Sequence, residues 1–199
     1  MIAVLDYGIG NLRSAEKALQ KIGGDARLVT DPDEAADAVG VVLPGVGNFG
    51  RCMEALRASG LDKAALDAVD RGKPFLGICV GMQLLYAGSD ESPGTSGLGI
   101  VDAQIRLLPD DVKRPQMQWN VLQRVRPTPV LDGMDEPTWV YFVHSYAAEA
   151  TDDVVATCDY GGPVVGVIER DNLWATQFHP EKSGAAGLQL LKNFVGRCG

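Results

Sequence analysis

A cysteine at a tight corner is the first feature of this sequence that could carry out chemistry. Cys79 is the central residue of the pentapeptide GICVG at positions 77–81, between a short apolar run and a segment with helical spacing. The pattern G-x-C-x-G has the form of a nucleophile elbow, with sulfur in place of the usual serine oxygen. The positive end of the following helix favours the thiolate, and the backbone N–H of Val80 would face an oxyanion forming beside the sulfur. The alternative is a buried structural thiol, our interpretation of Cys52, Cys158 and Cys198.

A cysteine nucleophile needs a general base, which is most often a histidine, and the chain has two histidines. His179 stands where a strand from Leu173 ends, because Pro180 cannot continue it. In extended chain, residues two apart lie on the same face, so Glu181 could hold the imidazole in the tautomer that a catalytic triad requires. The two residues could instead be a surface histidine and a solvated carboxylate. His144 is either a satisfied histidine at a strand end or part of a substrate-contacting segment.

A glycine-containing loop could supply the second backbone donor for an oxyanion. The tetrapeptide PGVG at 44–47 follows a buried apolar run, and its glycines let backbone N–H groups approach a ligand. One such donor is worth about 2.7–4 kcal/mol of barrier. Glycine loops also cradle phosphates, but this one lacks the GK[ST] ending of a phosphate-binding P-loop.

Alternating strands and helices must position these residues in the first half of the chain. Apolar runs predict strands at 2–5, 26–29, 39–43 and 75–78, and helical periodicity with capping signals predicts helices at 12–22, 31–38, 50–58 and 61–69. This alternation favours βαβ units with a parallel sheet, whose strand ends carry functional loops.

The second half has a different pattern. Strand-like runs occupy 103–107, 121–126, 139–143, 154–158, 164–169 and 173–177, several of them separated by turn signals, and a final helix covers about 184–195. The predicted fold is therefore α/β, a three-layer, mostly parallel sheet flanked by helices, with an additional antiparallel β stretch in the second half. We expect residues 1–199 to form a single domain.

Composition excludes several classes of protein. A formal net charge of −8 argues against nucleic acid and acidic membrane surfaces as partners. Four widely spaced cysteines without a CxxC pair argue against a disulfide framework or a zinc site. No signal peptide and no apolar stretch of about 20 residues is visible. We expect a cytoplasmic protein without metal or cofactor.

Together these motifs resemble the class I, or triad-type, glutamine amidotransferases. G-x-C-x-G followed at a distance by H-P-E is their catalytic signature, and the resemblance spans the whole chain. The segments DYGIGNLRS at 6–14, PGVGNFG at 44–50, GICVGMQLL at 77–85, YFVHSY at 141–146 and HPEKSG at 179–184 resemble most closely the glutaminase subunits of histidine biosynthesis.

The resemblance implies a role for each candidate residue. Cys79 would attack the side-chain amide of glutamine and release ammonia, leaving a γ-glutamyl thioester that water then hydrolyses. His179 would shuttle the protons, and Glu181 would orient His179. The remaining implied site residues are Gly47 and Val80 as oxyanion donors, and Gln83, His144, Ser145 and Tyr146 as glutamine contacts.

The resemblance also implies a partner. In this family ammonia passes to a separate cyclase subunit with a (β/α)8-barrel fold, and 199 residues leave no room for such a barrel of about 250 residues. We therefore expect a heterodimer, low activity of the chain alone, and a 44–47 loop whose conformation depends on the partner and its nucleotide ligand. The residues expected near the interface are Asn11, Trp119, Asn120, Tyr141 and Lys182.

One stretch departs from the family pattern. Where the family usually has HMGWN, this chain has QMQWN at 116–120, which keeps the Trp-Asn pair and replaces the histidine and the glycine by Gln116 and Gln118. Two alternatives stay open. The chain could be another glutaminase of the superfamily, such as that of pyridoxal phosphate synthesis, or a free-standing cysteine hydrolase. It could also be a non-catalytic scaffolding subunit with a degenerate site.

Overall fold

The computed structural model describes residues 1–199, and the first half of the chain alternates strands with helices as predicted. The elements are β1 (Ile2–Leu5), α1 (Leu12–Lys21), β2 (Ala26–Val29), α2 (Pro32–Ala36), β3 (Gly40–Gly45), α3 (Phe49–Ala58), α4 (Leu61–Asp70) and β4 (Phe75–Cys79). Helix α2 begins with proline in its first turn, and the Asp31 side chain caps it by accepting the N–H of Asp33.

The second half is richer in strands. It contains α5 (Val80–Gln83), β5 (Tyr86–Ser89), β6 (Val101–Leu107), β7 (Gln116–Val121), β8 (Gln123–Arg124), β9 (Trp139–His144), β10 (Tyr146–Ala148), β11 (Val154–Asp159), β12 (Pro163–Arg170), β13 (Leu173–Thr176) and α6 (Gly184–Arg197). Two 3-10 turns lie at Pro129–Leu131 and Pro180–Lys182.

An eight-stranded sheet in the order β2-β1-β3-β4-β13-β12-β11-β8 forms the centre of the molecule. Neighbouring strands from β2 to β13 are parallel, and β12, β11 and β8 continue the sheet in antiparallel fashion. Two smaller sheets, β10-β6-β5 and the antiparallel ribbon β7-β9, complete the β structure. The predicted α/β fold with an added antiparallel part is confirmed.

The central strands are buried along their whole length, as expected when helices cover both faces of a sheet. Every residue of β1, β3, β4 and β13 is buried. Helix α1 presents Leu12, Ala15 and Leu19 to the core, the apolar stripe on which its prediction rested. None of the helices combines the length and the apolarity that crossing a bilayer requires.

One predicted strand was misplaced, and β5 was not predicted at all. The strand expected at 121–126 is instead β7 at Gln116–Val121, followed by the short β8. In β7 the polar Gln116 is buried whereas Met117 and Trp119 are exposed, which inverts the pattern that usually marks a strand. The helix after the cysteine is a single turn of four residues, and the chain then enters β5, which the sequence pattern did not reveal.

Candidate active site

The corner at Cys79 has the geometry of a nucleophile elbow. Cys79 ends β4 with φ of 56° and ψ of −114°, and α5 begins at the next residue. Positive φ is costly for a residue with a side chain, about 1–3 kcal/mol, and such strain clusters at functional sites. Only one other non-glycine residue of the chain, Asp171, has positive φ.

The backbone packs closely around both glycines that flank the cysteine, and at Gly81 it leaves no room for a side chain. A Cβ atom on Gly81 would lie 1.8 Å from the carbonyl oxygen of Leu43 in β3. A Cβ atom on Gly77 would lie 3.1 Å from the Gly81 carbonyl oxygen and from the backbone of Met82. The elbow therefore fits only where β3, β4 and α5 approach one another without side chains between them.

His179 reaches the elbow from the neighbouring strand. β13 lies parallel to β4, with Thr176 opposite Ile78, so the chain leaves both strands at the same edge of the sheet. The backbone N–H of His179 donates to the carbonyl of Tyr141 at 3.1 Å. The hydroxyl of Ser183 donates to the carbonyl of His179 at 2.7 Å. These bonds hold the turn that carries the imidazole.

Glu181 is hydrogen-bonded to His179, as the sequence suggested, but through a different backbone path. The distance from His179 Nδ1 to Glu181 Oε1 is 2.7 Å, and both side chains are only 2% exposed. The prediction placed both residues in extended chain, whereas Pro180–Lys182 forms a 3-10 turn. The turn folds the carboxylate back onto the ring, so the pair is buried rather than solvated.

The surroundings of His179 favour its charged form. Burial lowers the pKa of the imidazole, but hydrogen bonds to Cys79 and Glu181 and the charges of these groups outweigh burial and raise the pKa to about 9. Because Nδ1 is used by Glu181, the other ring nitrogen is the one available to the sulfur. The arrangement can move a proton between the sulfur of Cys79 and an atom bound next to it.

A cavity of about 350 Å³ opens beside Cys79 and His179, within the size range of small-molecule sites. Both residues predicted as oxyanion donors line it, and so do all four predicted as glutamine contacts: Gly47, Val80, Gln83, His144, Ser145 and Tyr146. Gly47 has φ of 94°, a conformation that favours glycine. Nowhere are three or more His, Cys, Asp or Glu side chains grouped to hold a metal ion.

Gln177 contacts the nucleophile and was not predicted as a site residue. Its side chain is fully buried, with Nε2 at 3.8 Å from Cys79 Sγ. Its Oε1 accepts a hydrogen bond from Gln83 Nε2 at 3.0 Å. The signal was its position two residues before His179, at the end of a strand whose alternate residues share a face.

Glu91 was also missed. Its carboxylate lines the cavity and accepts the backbone N–H of Phe49, the first residue of α3, at 2.7 Å. A carboxylate in this position can bind a cationic group of a ligand as well. No motif in the sequence distinguishes Glu91 from the other acidic residues near it.

Two further residues donate hydrogen bonds to backbone carbonyls of the PGVG loop. The Tyr7 hydroxyl donates to the carbonyl of Pro44 at 2.7 Å, and the Cys52 thiol donates to the carbonyl of Val46 at 3.4 Å. Burial raises the pKa of Cys52 to about 11 and that of Tyr7 well above its ordinary value, so both groups keep their protons. Cys52 is thus structural, as interpreted, and it also touches a loop that lines the cavity.

The residues predicted to lie near an interface do not form one uniform surface. Trp119 is 48% exposed, and its ring meets that of Tyr141, its cross-strand partner in the ribbon β7-β9, at a centroid distance of 6.1 Å. Lys182 is exposed beside the start of α6, and α1, which follows Asn11, contacts the 3-10 turn that contains Lys182. Asn120 instead donates to the carbonyl of Asp159.

The two glutamines that depart from the family pattern lie in different environments. Gln116 is fully buried opposite His144, with Nε2 at 3.6 Å from Cys158 Sγ and Oε1 without a partner. Gln118 is exposed. Neither side chain reaches the cavity beside Cys79.

The sequence is similar to a known protein family and to named relatives. The family described as "Glutamine amidotransferase class-I" matches residues 3–198. The chain is 51% identical over 198 residues to "Imidazole glycerol phosphate synthase subunit HisH" of Methanothermobacter thermautotrophicus, covering 98% of each chain. It is 46% identical over 197 residues to the protein of the same name from Bacillus cereus, covering 98% of this chain and 94% of the relative.

Solved structures share the fold at lower sequence identity. One described as "Crystal structure of glutamine amidotransferase" aligns with a TM-score of 0.77 and 18% identity over 98% of both chains. "Structure of PurLQS from Thermotoga maritima" aligns with a TM-score of 0.77 and 20% identity, covering 98% of this chain and 97% of that one. These similarities support the architecture described above.

Proposed function

This chain belongs to the class-I glutamine amidotransferase family, and from that premise we propose that it hydrolyses glutamine with Cys79, His179 and Glu181 and delivers the ammonia to a separate cyclase subunit. The observation that carries the proposal is the buried His179–Glu181 pair beside a cysteine held at positive φ on the wall of one cavity.

The first half of the proposed reaction forms a thioester. His179 takes the proton of Cys79, and the sulfur attacks the side-chain carbonyl carbon of glutamine. The negative charge on the carbonyl oxygen faces backbone N–H groups of Val80 and Gly47, which line the cavity. The protonated His179 then gives its proton to the amide nitrogen, and ammonia leaves as the carbon–nitrogen bond breaks.

The second half uses water. His179 accepts a proton from a water molecule that attacks the thioester carbon, and the carbon–sulfur bond breaks to release glutamate and regenerate Cys79. Glu181 stabilises the imidazolium that forms in both halves and holds Nδ1 as the donor. The net change is glutamine and water to glutamate and ammonia.

The cavity wall suits the rest of the substrate. Gln83, Ser145 and Tyr146 lie along it and would contact glutamine, and the carboxylate of Glu91 would bind the α-ammonium group. These assignments extend the pattern matches at 77–85 and 141–146 to side chains that share one space.

The proposed partner is a (β/α)8-barrel cyclase that uses the ammonia to make imidazole glycerol phosphate and aminoimidazole carboxamide ribotide. The names of the relatives, which are subunits of imidazole glycerol phosphate synthase, support this heterodimer. The partly exposed Trp119 and Tyr141 offer an apolar contact surface. The carbonyl of Tyr141 also accepts a hydrogen bond from the backbone N–H of His179, which links this surface to the catalytic histidine. We place the complex in the reducing cytoplasm, which keeps the free thiols reduced, and treat residues 1–199 as one domain.

Glutamate release from glutamine tests the proposal. The chain is assayed alone, with the cyclase subunit, and with the cyclase's nucleotide ligand added. We expect strong stimulation by partner and ligand, and loss of at least about 10³-fold in the Cys79→Ala variant. The matched control is Cys198→Ala, which removes a thiol far from the cavity and should keep full activity.

Mass spectrometry adds an independent readout. Rapidly quenched complex should carry a γ-glutamyl adduct on Cys79 and on no other cysteine. Absence of glutamate release under every condition would overturn the proposal and favour a scaffolding subunit. Stimulation by a barrel other than the cyclase would reassign the pathway while leaving the chemistry intact.

A further inference from the structure

One backbone oxygen fixes two side chains of the cavity wall at once. The carbonyl oxygen of Tyr146 accepts a hydrogen bond from Gln83 Nε2 at 3.0 Å and one from His144 Nδ1 at 2.9 Å. A carbonyl oxygen has two lone pairs, so both are used. Since a carbonyl only accepts, His144 must carry its proton on Nδ1, and its Nε2 is left as an acceptor.

The orientation of Gln83 is fixed from the other side. The second N–H of its carboxamide goes to Gln177 Oε1 at 3.0 Å. Gln177 in turn points Nε2 toward Cys79 Sγ, and sulfur in the nucleophile accepts hydrogen bonds. The Tyr146 carbonyl at one end of this chain of hydrogen bonds can only accept, so Gln83 must turn its NH2 group toward it. Gln177 must then present Oε1 to Gln83 and Nε2 to Cys79, which fixes both carboxamides.

His144 Nε2 is the unused polar atom of this arrangement. His144 lines the cavity and is 6% exposed, and its Nε2 is buried without any hydrogen-bond partner. Burial and the charge of the nearby His179 lower the pKa of His144 to about 4, although the bond to the Tyr146 carbonyl opposes the shift. At neutral pH the ring is thus uncharged, and a buried acceptor without a donor is costly until a ligand supplies one.

We propose that His144 Nε2 accepts an N–H of the substrate's carboxamide, and that His144 thereby determines specificity for an amide over a carboxylate. This inference rests on the proposed glutaminase function and assigns one of its selectivities to one atom. His144 lines the same cavity as Cys79 and His179, the two residues that act on the carboxamide, so it can contact the reacting end of the substrate.

The same atom explains why the product should leave. Ammonia departs from the carboxamide position, and the free glutamate then carries a carboxylate there, which has no N–H to offer. A carboxylate oxygen placed against the Nε2 lone pair is repelled, because both groups are acceptors. The site therefore prefers the substrate to the product without needing a charged residue.

A substrate pair tests the proposal on the full chain with its cyclase subunit and the cyclase's ligand. Glutamine is compared with the γ-methyl ester of glutamate, which has the same carbonyl but no N–H on its leaving group. The variant is His144→Asn, whose amide nitrogen can keep the bond to the Tyr146 carbonyl while Nε2 is lost. We expect kcat/KM for glutamine to fall about 10- to 100-fold, and for the ester by less than about threefold.

The control outcomes are distinct. Equal losses with the two substrates would show that His144 only shapes the pocket and would overturn the proposal, as would an unchanged kcat/KM for glutamine. Failure of the wild-type complex to hydrolyse glutamine would instead refute the proposed function. As a second readout, the ratio of the glutamate inhibition constant to the KM of glutamine should fall in His144→Asn.

A second variant keeps the test decisive if the first does not fold. Thermal unfolding establishes whether His144→Asn keeps the wild-type structure. If it does not, His144→Phe replaces it, since the aromatic ring keeps most of the volume of the imidazole and carries no acceptor nitrogen. The same comparison of glutamine with the ester then decides, with a selective loss for glutamine supporting the proposal and equal losses overturning it.

Discussion

The two histidines of this chain lie on the same cavity, one at the end of β13 and the other at the end of β9. His179 is 2% exposed and His144 is 6% exposed. Each places Nδ1 against an oxygen, that of Glu181 at 2.7 Å and that of Tyr146 at 2.9 Å. Nevertheless the pKa is raised to about 9 in His179 and lowered to about 4 in His144.

Burial alone cannot cause opposite shifts, because it lowers the pKa of both rings. The difference is the charge of the neighbours. His179 faces a carboxylate and the sulfur of Cys79, whereas His144 faces a neutral carbonyl and a second imidazole. The region around His179 thus favours the imidazolium, the form that donates a proton to a leaving group, while the region around His144 offers a fixed acceptor.

The largest expected effect comes from replacing each histidine in turn by asparagine and comparing the losses of activity. His179→Asn removes the proton carrier and should lower kcat of the complex by about 10³- to 10⁴-fold, because a triad without its base retains little activity. His144→Asn should lower kcat/KM for glutamine by no more than about 100-fold. Steady-state glutamate release measures both, and losses of equal size would abolish the distinction.

Glu181→Gln gives His179 a neutral hydrogen-bond partner, as His144 already has. An amide replaces the carboxylate, so the hydrogen bond to Nδ1 can remain while the charge that favours imidazolium is gone. We expect the pKa of His179 to fall from about 9 and kcat to drop by about 10²- to 10³-fold. Titration of the ring signals by NMR gives the pKa, and a value that stays near 9 would assign the shift to Cys79 alone.

Acid should weaken the fold through His144. Its pKa in the folded protein, about 4, is below its ordinary value of 6.5. In this range the unfolded chain binds the proton more readily, so the contribution to stability is present above pH 6.5 and is lost as pH falls through about 4. The loss is about 3 kcal/mol in the free energy of unfolding.

His144→Asn provides the comparison for the acid experiment. Chemical denaturation at several pH values gives the free energy of unfolding of both proteins, and the difference between them isolates the histidine from carboxylates that titrate nearby. The wild type should show the steeper decline between pH 6.5 and 4. Parallel curves would mean that His144 is not kept neutral by the fold.

The smallest effect is expected at alkaline pH and involves His179. Its folded pKa, about 9, lies above the ordinary 6.5, so its stabilising interactions are complete below pH 6.5 and are lost as pH rises through about 9. Above that pH, kcat should fall about tenfold per pH unit, because the imidazolium that protonates the leaving nitrogen disappears. A pH–rate profile that stays flat to pH 10 would contradict this assignment.

Local signals in the sequence were sufficient for the elbow and for the His179–Glu181 pair. Gly81 reveals the corner because a Cβ atom there would overlap the Leu43 carbonyl oxygen, and at Gly77 a Cβ atom would be tightly packed against the Gly81 and Met82 backbone. The contacts of Gln177 with Cys79 and Gln83 could not be predicted, because they depend on β13 lying beside β4. Adjacency of strands distant in sequence is a property of the whole fold.

The ribbon β7-β9 shows the other limit of prediction. Pattern analysis assumes that apolar residues point inward, but Met117, Trp119 and Trp139 are about half exposed or more. The bond from Tyr7 to the PGVG loop could not be predicted either, because Tyr7 lies 37 positions from Pro44 and reaches it only through the fold.

The insertion of β13 between β4 and β12 also has a consequence for the timing of biosynthesis. Gln177 follows the nucleophile by 98 positions, and its strand completes the central sheet only after nearly the whole chain has left the ribosome. Chains are made from the amino terminus at about 5–20 residues per second. Because His179 comes two residues later still, a nascent or prematurely terminated chain has Cys79 without its base, and we expect such a chain not to hydrolyse glutamine.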